Sequence, residues 1–368
     1  MSVLSLASCN NGISDEVQPV SLNATTQGFV GGDSSSLATW TAGEKVALLS
    51  SEDWSAATLS VTSGAGSTQA VLSGDSRGSA RYYAVRPAAA LLSVDAGIIN
   101  FEVEPNNIVL GGEDTTNTLV QLGVGDKNGL SFSNLFGAAH IAVSGNFKVN
   151  DITVTSETKG VSGTYAFNTA SGQTTAIESV AKVSRSFEEP LSITSSATDI
   201  FVALPAGNGI SVEIQLMDRV NNVNYVYSAS SLNIEGGKVT TITTPAETLP
   251  VAIGDWHLVS YCGKEADVDL YLSLAKDKSF TLYQRSGSLD YSKFTGEWSY
   301  NPQSKQLSGR YSDGSSWAAS YYVELTDSDE LKMTNVQNAT EVSLYERTEM
   351  PTVKPSASRS AVYVKPLL

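Results

Sequence analysis

Apolar and polar residues alternate along most of this chain with a period of two rather than 3.6. Examples are Ser211-Val212-Glu213-Ile214-Gln215-Leu216, Asp151-Ile152-Thr153-Val154, His140-Ile141-Ala142-Val143 and Lys45-Val46-Ala47-Leu48-Leu49. Successive side chains of a strand point to opposite faces, so this alternation predicts half-buried strands. Between the runs stand clusters such as Asp126-Lys127-Asn128-Gly129 and Glu235-Gly236-Gly237-Lys238. Gly and Asn accept positive φ and Asx side chains bond their own backbone, so these clusters read as turns. The runs recur at intervals of about 8–12 residues, which is the spacing of sandwiches and barrels. The expected fold class is all-β.

At 368 residues the chain calls for more than one core. Residues 1–249 carry 11 basic and 23 acidic groups, whereas residues 250–368 carry 12 and 15, so a boundary is expected near Pro250. Aromatics shift at the same point: residues 250–349 hold three of the five Trp and nine of the 15 Tyr. The net charge of −15 repels phosphate backbones and argues against a nucleic-acid partner. No apolar run reaches the roughly 18 residues of a membrane-spanning helix.

The start of the chain changes the picture more than its composition does. Leu6-Ala7-Ser8-Cys9, followed by Asn10-Asn11-Gly12-Ile13-Ser14-Asp15-Glu16, resembles the cleavage box of bacterial lipoproteins. The resemblance implies that Cys9 carries lipid and that residues 10–24 are a tether to an outer-membrane, cell-surface position. Residues 1–8 contain no Lys or Arg and only a short apolar patch, so an export signal would require sequence upstream. With Cys9 assigned to lipid, Cys262 stands alone in a strand-like stretch, where a small buried thiol is expected.

Several segments of the first 249 residues resemble the fimbrillin family of surface lipoproteins, in the family's order. They are Thr39-Trp40-Thr41-Ala42-Gly43-Glu44-Lys45-Val46, Gln69-Ala70-Val71-Leu72-Ser73-Gly74, Arg81-Tyr82-Tyr83-Ala84-Val85-Arg86-Pro87, Leu130-Ser131-Phe132-Ser133-Asn134-Leu135-Phe136 and Phe201-Val202-Ala203-Leu204-Pro205-Ala206-Gly207. The resemblance implies two tandem transthyretin-like β-sandwiches. Polymerising members of the family are activated by cutting after an early Arg. Here the first Arg is Arg77, inside the first expected domain, so that switch is not expected of this chain.

Residues 250–349 resemble the small lipocalin-like β-barrels of such lipoproteins. The segments are Ile253-Gly254-Asp255-Trp256-His257-Leu258-Val259-Ser260, Asp277-Lys278-Ser279-Phe280-Thr281-Leu282-Tyr283, Phe294-Thr295-Gly296-Glu297-Trp298 and Tyr345-Glu346-Arg347. In lipocalins a Trp of the first strand closes the barrel beneath a stacked Arg of the last, which makes Trp256 and Arg347 the expected structural pair. The expected organisation is therefore 1–24 signal remnant, lipobox and tether; 25–135 and 136–249 sandwiches; 250–349 barrel; and 350–368 a tail. In the tail, Val362 and Val364 would mark a donor strand if the protein assembles by strand exchange.

Catalysis is not expected. His140 and His257 lie in different expected domains and no Gly-x-Ser-x-Gly elbow joins a strand to a helix. No His/Cys cluster has zinc-ligand spacing, and no Gly-rich run opens a helix, so no metal and no cofactor is expected. Asp267-Val268-Asp269, Glu113-Asp114 and Asp327-Ser328-Asp329-Glu330 lack a calcium-loop pattern and read as solvated turns. Asp114-Thr115-Thr116 resembles the family's O-glycosylation acceptor, which singles out Thr115. Trp298, Tyr311 and Trp317 fit either of two roles, barrel core or a face that holds a ligand, with Trp317 the most loop-like. Two functions remain: a non-catalytic fimbrial component or adhesin meeting fimbrial subunits or host or bacterial surface glycans, or a lipoprotein whose barrel binds a glycan or small apolar molecule.

Overall fold

The computed structural model describes residues 16–27, 39–105, 107–111, 113, 120–158, 160–286, 290–352 and 368. Cys9, Thr115, Val362 and Val364 lie outside the described residues. Among the described residues the chain forms strands and one 3-10 turn, Ala88–Ala90, with no α-helix.

The first unit is a closed barrel. Strand Val17–Thr26 pairs antiparallel with Gln69–Arg77 and parallel with Gly129–Asn134. Ala56–Ser63, Lys45–Ser50, Tyr82–Arg86 and Gln121–Asp126 complete the ring. Its core holds Leu22, Trp40, Leu48, Leu59, Leu72 and Phe132. The segment expected as a tether is thus partly a barrel strand: Leu22, Ala24 and Thr26 alternate inward, and closure removes the open edges that a lone sandwich sheet would expose.

The rest of the segment 25–135 leaves that barrel. Leu91–Asp95 and Ile98–Val103 form a sheet with Ser162–Asn168 and Gln173–Val180, while Ile108–Leu110 pairs with Thr198–Pro205. The cut expected at residue 135 is therefore bridged by hydrogen-bonded strands. A shared apolar cluster sits at the bridge: Leu49, Tyr83 and Val85 of the barrel wall join Phe101, Tyr165 and Phe201.

In residues 136–249 two sheets pack on a common core of aliphatic side chains, including Ile141, Val154, Val202, Ile214 and Leu216. One sheet has the order Val239–Thr241, Phe136–Val143, Thr198–Pro205, Ile108–Leu110. The other has the order Lys182–Ile193, Phe147–Thr155, Gly207–Asp218, Val223–Ile234, Glu247–Pro250. The alternation read in 211–216 is borne by the strand Gly207–Asp218, whose Ile210, Val212, Ile214 and Leu216 are buried.

The last unit runs up and down from Gly254–Tyr261 through Val268–Leu274, Ser279–Ser286, Ser292–Asn301, Gln306–Tyr311, Tyr321–Leu325, Leu331–Asn335 and Val342–Arg347. Val342–Arg347 pairs back onto Gly254–Tyr261 and closes the sheet. Leu249, Val251 and Ala252 pack into this unit's core, so the chain enters it without a free linker. Arg219 reaches across the junction to Asp329 at 3.3 Å and to the Thr326 carbonyl, and Lys276 pairs with Glu213.

Cys262 differs from its expectation. It occupies the turn after Gly254–Tyr261 with φ +49°, next to Gly263 at φ +73°, and is exposed. Two successive positive-φ positions make the tight turn that reverses into Lys264–Glu265, so the thiol is carried outward.

Candidate functional site

The C-terminal barrel concentrates the sequence-selected residues. At the start of its first strand, Trp256 is fully buried and donates its indole N–H to the Ala252 carbonyl at 2.7 Å. Antiparallel register sets Trp256 opposite Arg347, and the guanidinium carbon lies 4.3 Å from the Trp256 ring centroid. Gly254 permits this: a Cβ there would stand 2.8 Å from Arg347 Nη1, and its φ of +133° disfavours a side chain. Arg347 Nε also approaches Asp329 Oδ2 at 3.5 Å, which connects the stack to the junction with the preceding unit.

The three candidate ligand-binding aromatics are core residues. Trp298 is 3% exposed and donates its indole N–H to the Ala275 carbonyl at 2.9 Å. Trp317, expected on an exposed loop, is only 6% exposed. Its amide donates to the Gly309 carbonyl at 2.9 Å, and its ring lies against Gly309, edge-on to Phe280 at 5.1 Å. The polar run Asp313-Gly314-Ser315-Ser316 turns the chain back so that the indole covers the gap left by a residue without a side chain. Its Nε1 has no hydrogen-bond partner among the described residues. Tyr311 is 6% exposed and packs edge-on to Phe280 at 5.5 Å.

Toward the other end of the first strand lies a cavity of about 540 Å³. Leu258, Val268, Leu270, Ala319, Tyr321 and Tyr345 give it apolar walls, with Asp267, Asn335, Glu341 and Ser343 also lining it. Burial, reinforced by Tyr261 and Glu341, pushes the Tyr321 hydroxyl up to about 12. Burial likewise raises Tyr311 and Tyr345, so all three are neutral donors in ordinary buffers. Leu368 reaches this cavity: it is 4% exposed, and its carbonyl accepts the Tyr311 hydroxyl at 2.8 Å. Sequence reading selected Tyr311 and counted Tyr321 among the aromatics crowded into this unit, but gave no ligand role to Tyr345 or Leu368. The inward alternation of Tyr321, Val323 and Leu325 on one strand places the first of these in the interior.

Other polar groups are absorbed by local networks. His257 lies on the outer wall, its Nε2 3.0 Å from Asp269 and its Nδ1 3.2 Å from Glu346, with its ring stacked on Tyr271. Asp269, expected in a solvated turn, is on the strand Val268–Leu274. Burial pushes its carboxyl up, but bonds from Tyr291, Arg285 and His257 outweigh that and hold it below the usual range. Asp329 does lie in a turn, yet it faces Arg219 and Arg347. Glu113 pairs with Arg185, whose hydrogen bond holds its carboxyl low. His140 sits between Asp199 at 2.9 Å and Thr241 at 3.1 Å, stacked on Phe201.

In the first barrel, the Trp-x-x-Gly-Glu segment builds a second arginine-over-indole stack. The Arg86 guanidinium lies 4.0 Å from the Trp40 ring and forks onto Glu44 at 2.5 and 3.0 Å. It also donates to Gln121 at 2.9 Å and to the Thr39 carbonyl at 2.7 Å. Arg86 and Glu44 are both buried, and the pair was not singled out in the sequence because nothing local links the two positions.

No family model matches the chain, and no curated protein matches it. Among solved structures it resembles a protein from Bacteroides ovatus described as a “putative cell adhesion protein”, with a TM-score of 0.40 and 10% identity over 64% of this chain and 96% of that one.

Proposed function

We propose that the chain is a non-catalytic surface lipoprotein of fimbrillin type, held at the outer membrane by lipid on Cys9 and acting as a fimbrial component or adhesin. The observation that supports this reading most is how its units are joined. Strands Leu91–Asp95, Ile98–Val103 and Ile108–Leu110 are hydrogen-bonded into the unit that follows, and the C-terminal barrel is tied on by Arg219, Asp329, Lys276 and Glu213. Continuous sheets and buried junctions suit a protein that projects a binding surface away from a membrane, because load passes through backbone ladders rather than through a flexible linker. In this reading the tandem units are variants of transthyretin-like sandwiches, the first closed into a barrel, and Thr115 is a glycan acceptor. Its partners are the membrane, fimbrial subunits and host or bacterial surface glycans. Intact-mass analysis of the native protein extracted from membranes tests this: a mature chain that begins at an acylated Cys9 is expected, and a soluble chain without lipid overturns the assignment.

A second reading is favoured by the 540 Å³ cavity in the C-terminal barrel, whose apolar walls carry a few neutral hydroxyl donors. Small-molecule sites are built this way, largely apolar with sparse polar anchors. Here the barrel would capture an apolar molecule at the cell surface, with Trp298, Tyr311 and Trp317 as supporting core and Trp256 with Arg347 as the closed end.

A further inference from the structure

The cavity of the C-terminal barrel carries a distinctive set of polar groups above its apolar floor. With Leu368 as part of the wall, the space is about 540 Å³, and Leu258, Val268 and Leu270 floor it. That size lies within the roughly 300–1,000 Å³ of small-molecule pockets. Tyr321 lines it at only 9% exposure, and its hydroxyl has no hydrogen-bond partner among the described residues. Buried hydroxyls are ordinarily bonded, so one left free in a cavity wall points to an atom of a ligand. Burial is the main reason this hydroxyl keeps its proton, and Tyr261 and the Glu341 charge add to it. Glu341, half-buried, accepts from the side-chain amides of Asn335 and Asn338, each at 2.8 Å, and meets no cation among the described residues. The Asp267 carboxylate, also on the lining, has neither a hydrogen bond nor an ion pair among the described residues. None of the described lining residues is Lys, Arg or His.

Two carboxylates and a free hydroxyl oxygen around an apolar floor are acceptors with no compensating positive charge. A neutral guest would shield the carboxylates from water without pairing them, and an anionic guest would add repulsion. A guest with an ammonium group supplies both the N–H donors and the charge. We propose that this cavity binds an amphiphile bearing a protonated amine. Its apolar body lies on Leu258, Val268 and Leu270, and its ammonium donates to Glu341, Asp267 and the Tyr321 hydroxyl oxygen. The proposal rests on the ligand-binding reading above and adds the charge of the ligand and the residues that recognise it.

The test is titration calorimetry of the full chain at neutral pH with three probes that share one tail: octylammonium, octanol and octanoate. Octylammonium should bind most tightly and octanoate least. Glu341→Gln with Asp267→Asn should weaken octylammonium about tenfold or more, as loss of hydrogen bonds to a charged group implies, and leave octanol unchanged. Tyr321→Phe should weaken octylammonium severalfold. Equal or tighter binding of octanol or octanoate to wild type overturns the ammonium assignment and leaves the ligand-binding reading in place. Binding of no probe overturns both. Octylammonium that binds wild type and the double variant equally is held elsewhere on a chain of net charge −15, and that result also overturns the site. A measurement on wild type alone does not depend on the folding of a variant. At saturation, nuclear Overhauser effects should join the octyl chain to Leu258, Val268 and Leu270, and their absence sinks the proposal.

Discussion

Replacing Gly309 by alanine puts a methyl group where the Trp317 ring lies. A Cβ there falls inside the envelope of Cε2 and 2.7 Å from Cδ2 and Cζ2, where ordinary contact begins near 3.4 Å. The ring cannot slide away freely, since Phe280 stands 5.1 Å from its centroid on one side and Tyr321 stands 6.2 Å away. Forcing a methyl into a packed core costs about 1–3 kcal/mol. The upper bound is expulsion of the indole, equivalent to losing a buried Trp at about 3–5 kcal/mol. For a barrel of this size about 2 kcal/mol corresponds to a fall in melting temperature of roughly 8–16 °C in the transition of that unit. Calorimetry of the full chain reads the shift, and the emission of Trp317 should move to longer wavelength as the ring gains water. A double-mutant cycle isolates the cause: with Trp317→Ala already present, Gly309→Ala should cost little, because the clashing ring has gone. Equal cost of Gly309→Ala in both backgrounds would refute the reasoning, as would a melting temperature within a degree of wild type.

Three further outcomes follow from the same contacts. Arg86→Met leaves the Glu44 carboxylate buried without its partner and should destabilise the first barrel by about 3–5 kcal/mol, whereas Arg86→Met with Glu44→Leu should recover most of that in denaturant titrations; equal losses in the two would show that the charge is not the cause. Burial raises Tyr165 and Tyr321 from 10.0 to about 12, so each holds its folded form most strongly below pH 10, and that contribution disappears as pH rises through about 12. Absorbance at 295 nm should therefore show a late group of tyrosines ionising together with loss of circular dichroism; full ionisation by about pH 11 with the fold intact would contradict it. Cys262 should react with an alkylating reagent in the native protein without prior unfolding, and Cys262→Asn should raise stability by a few tenths of a kcal/mol, because Asn tolerates positive φ better; protection of the thiol until unfolding would return Cys262 to the interior.

Strands were legible wherever alternation was strict, as in residues 211–216, because that pattern reports only which face of one strand is wet. Turn chemistry was legible for the same reason in Glu235-Gly236-Gly237-Lys238, where Gly237 sits at positive φ and local sterics choose glycine, but the turn at Cys262-Gly263 was not. The Trp256–Arg347 stack was within reach through resemblance, since both residues occupy recognisable strand ends. Trp317 shows the limit. A run of Asp, Gly and Ser marks a turn but says nothing of which way the next side chain points, and the direction here depends on Gly309 in a neighbouring strand.

Pairing between distant segments lay beyond any local pattern. Val17–Thr26 has a readable inward face, yet its place in the ring depends on the edges that Gln69–Arg77 and Gly129–Asn134 leave open. Leu91–Asp95 and Ile98–Val103 look like any other strands, and their passage into the next unit reflects the apolar surface offered there by Phe101, Tyr165 and Phe201. Arg86 met Glu44, and Leu368 met Tyr311, only once the barrels around them had closed. Periodicity and turn residues thus sufficed for an acidic all-β chain with a change of character near Pro250. Which strands are neighbours, which aromatics are enclosed and what fills the last barrel are properties of closure, because backbone hydrogen bonding is the same for every strand and only three-dimensional fit chooses among partners.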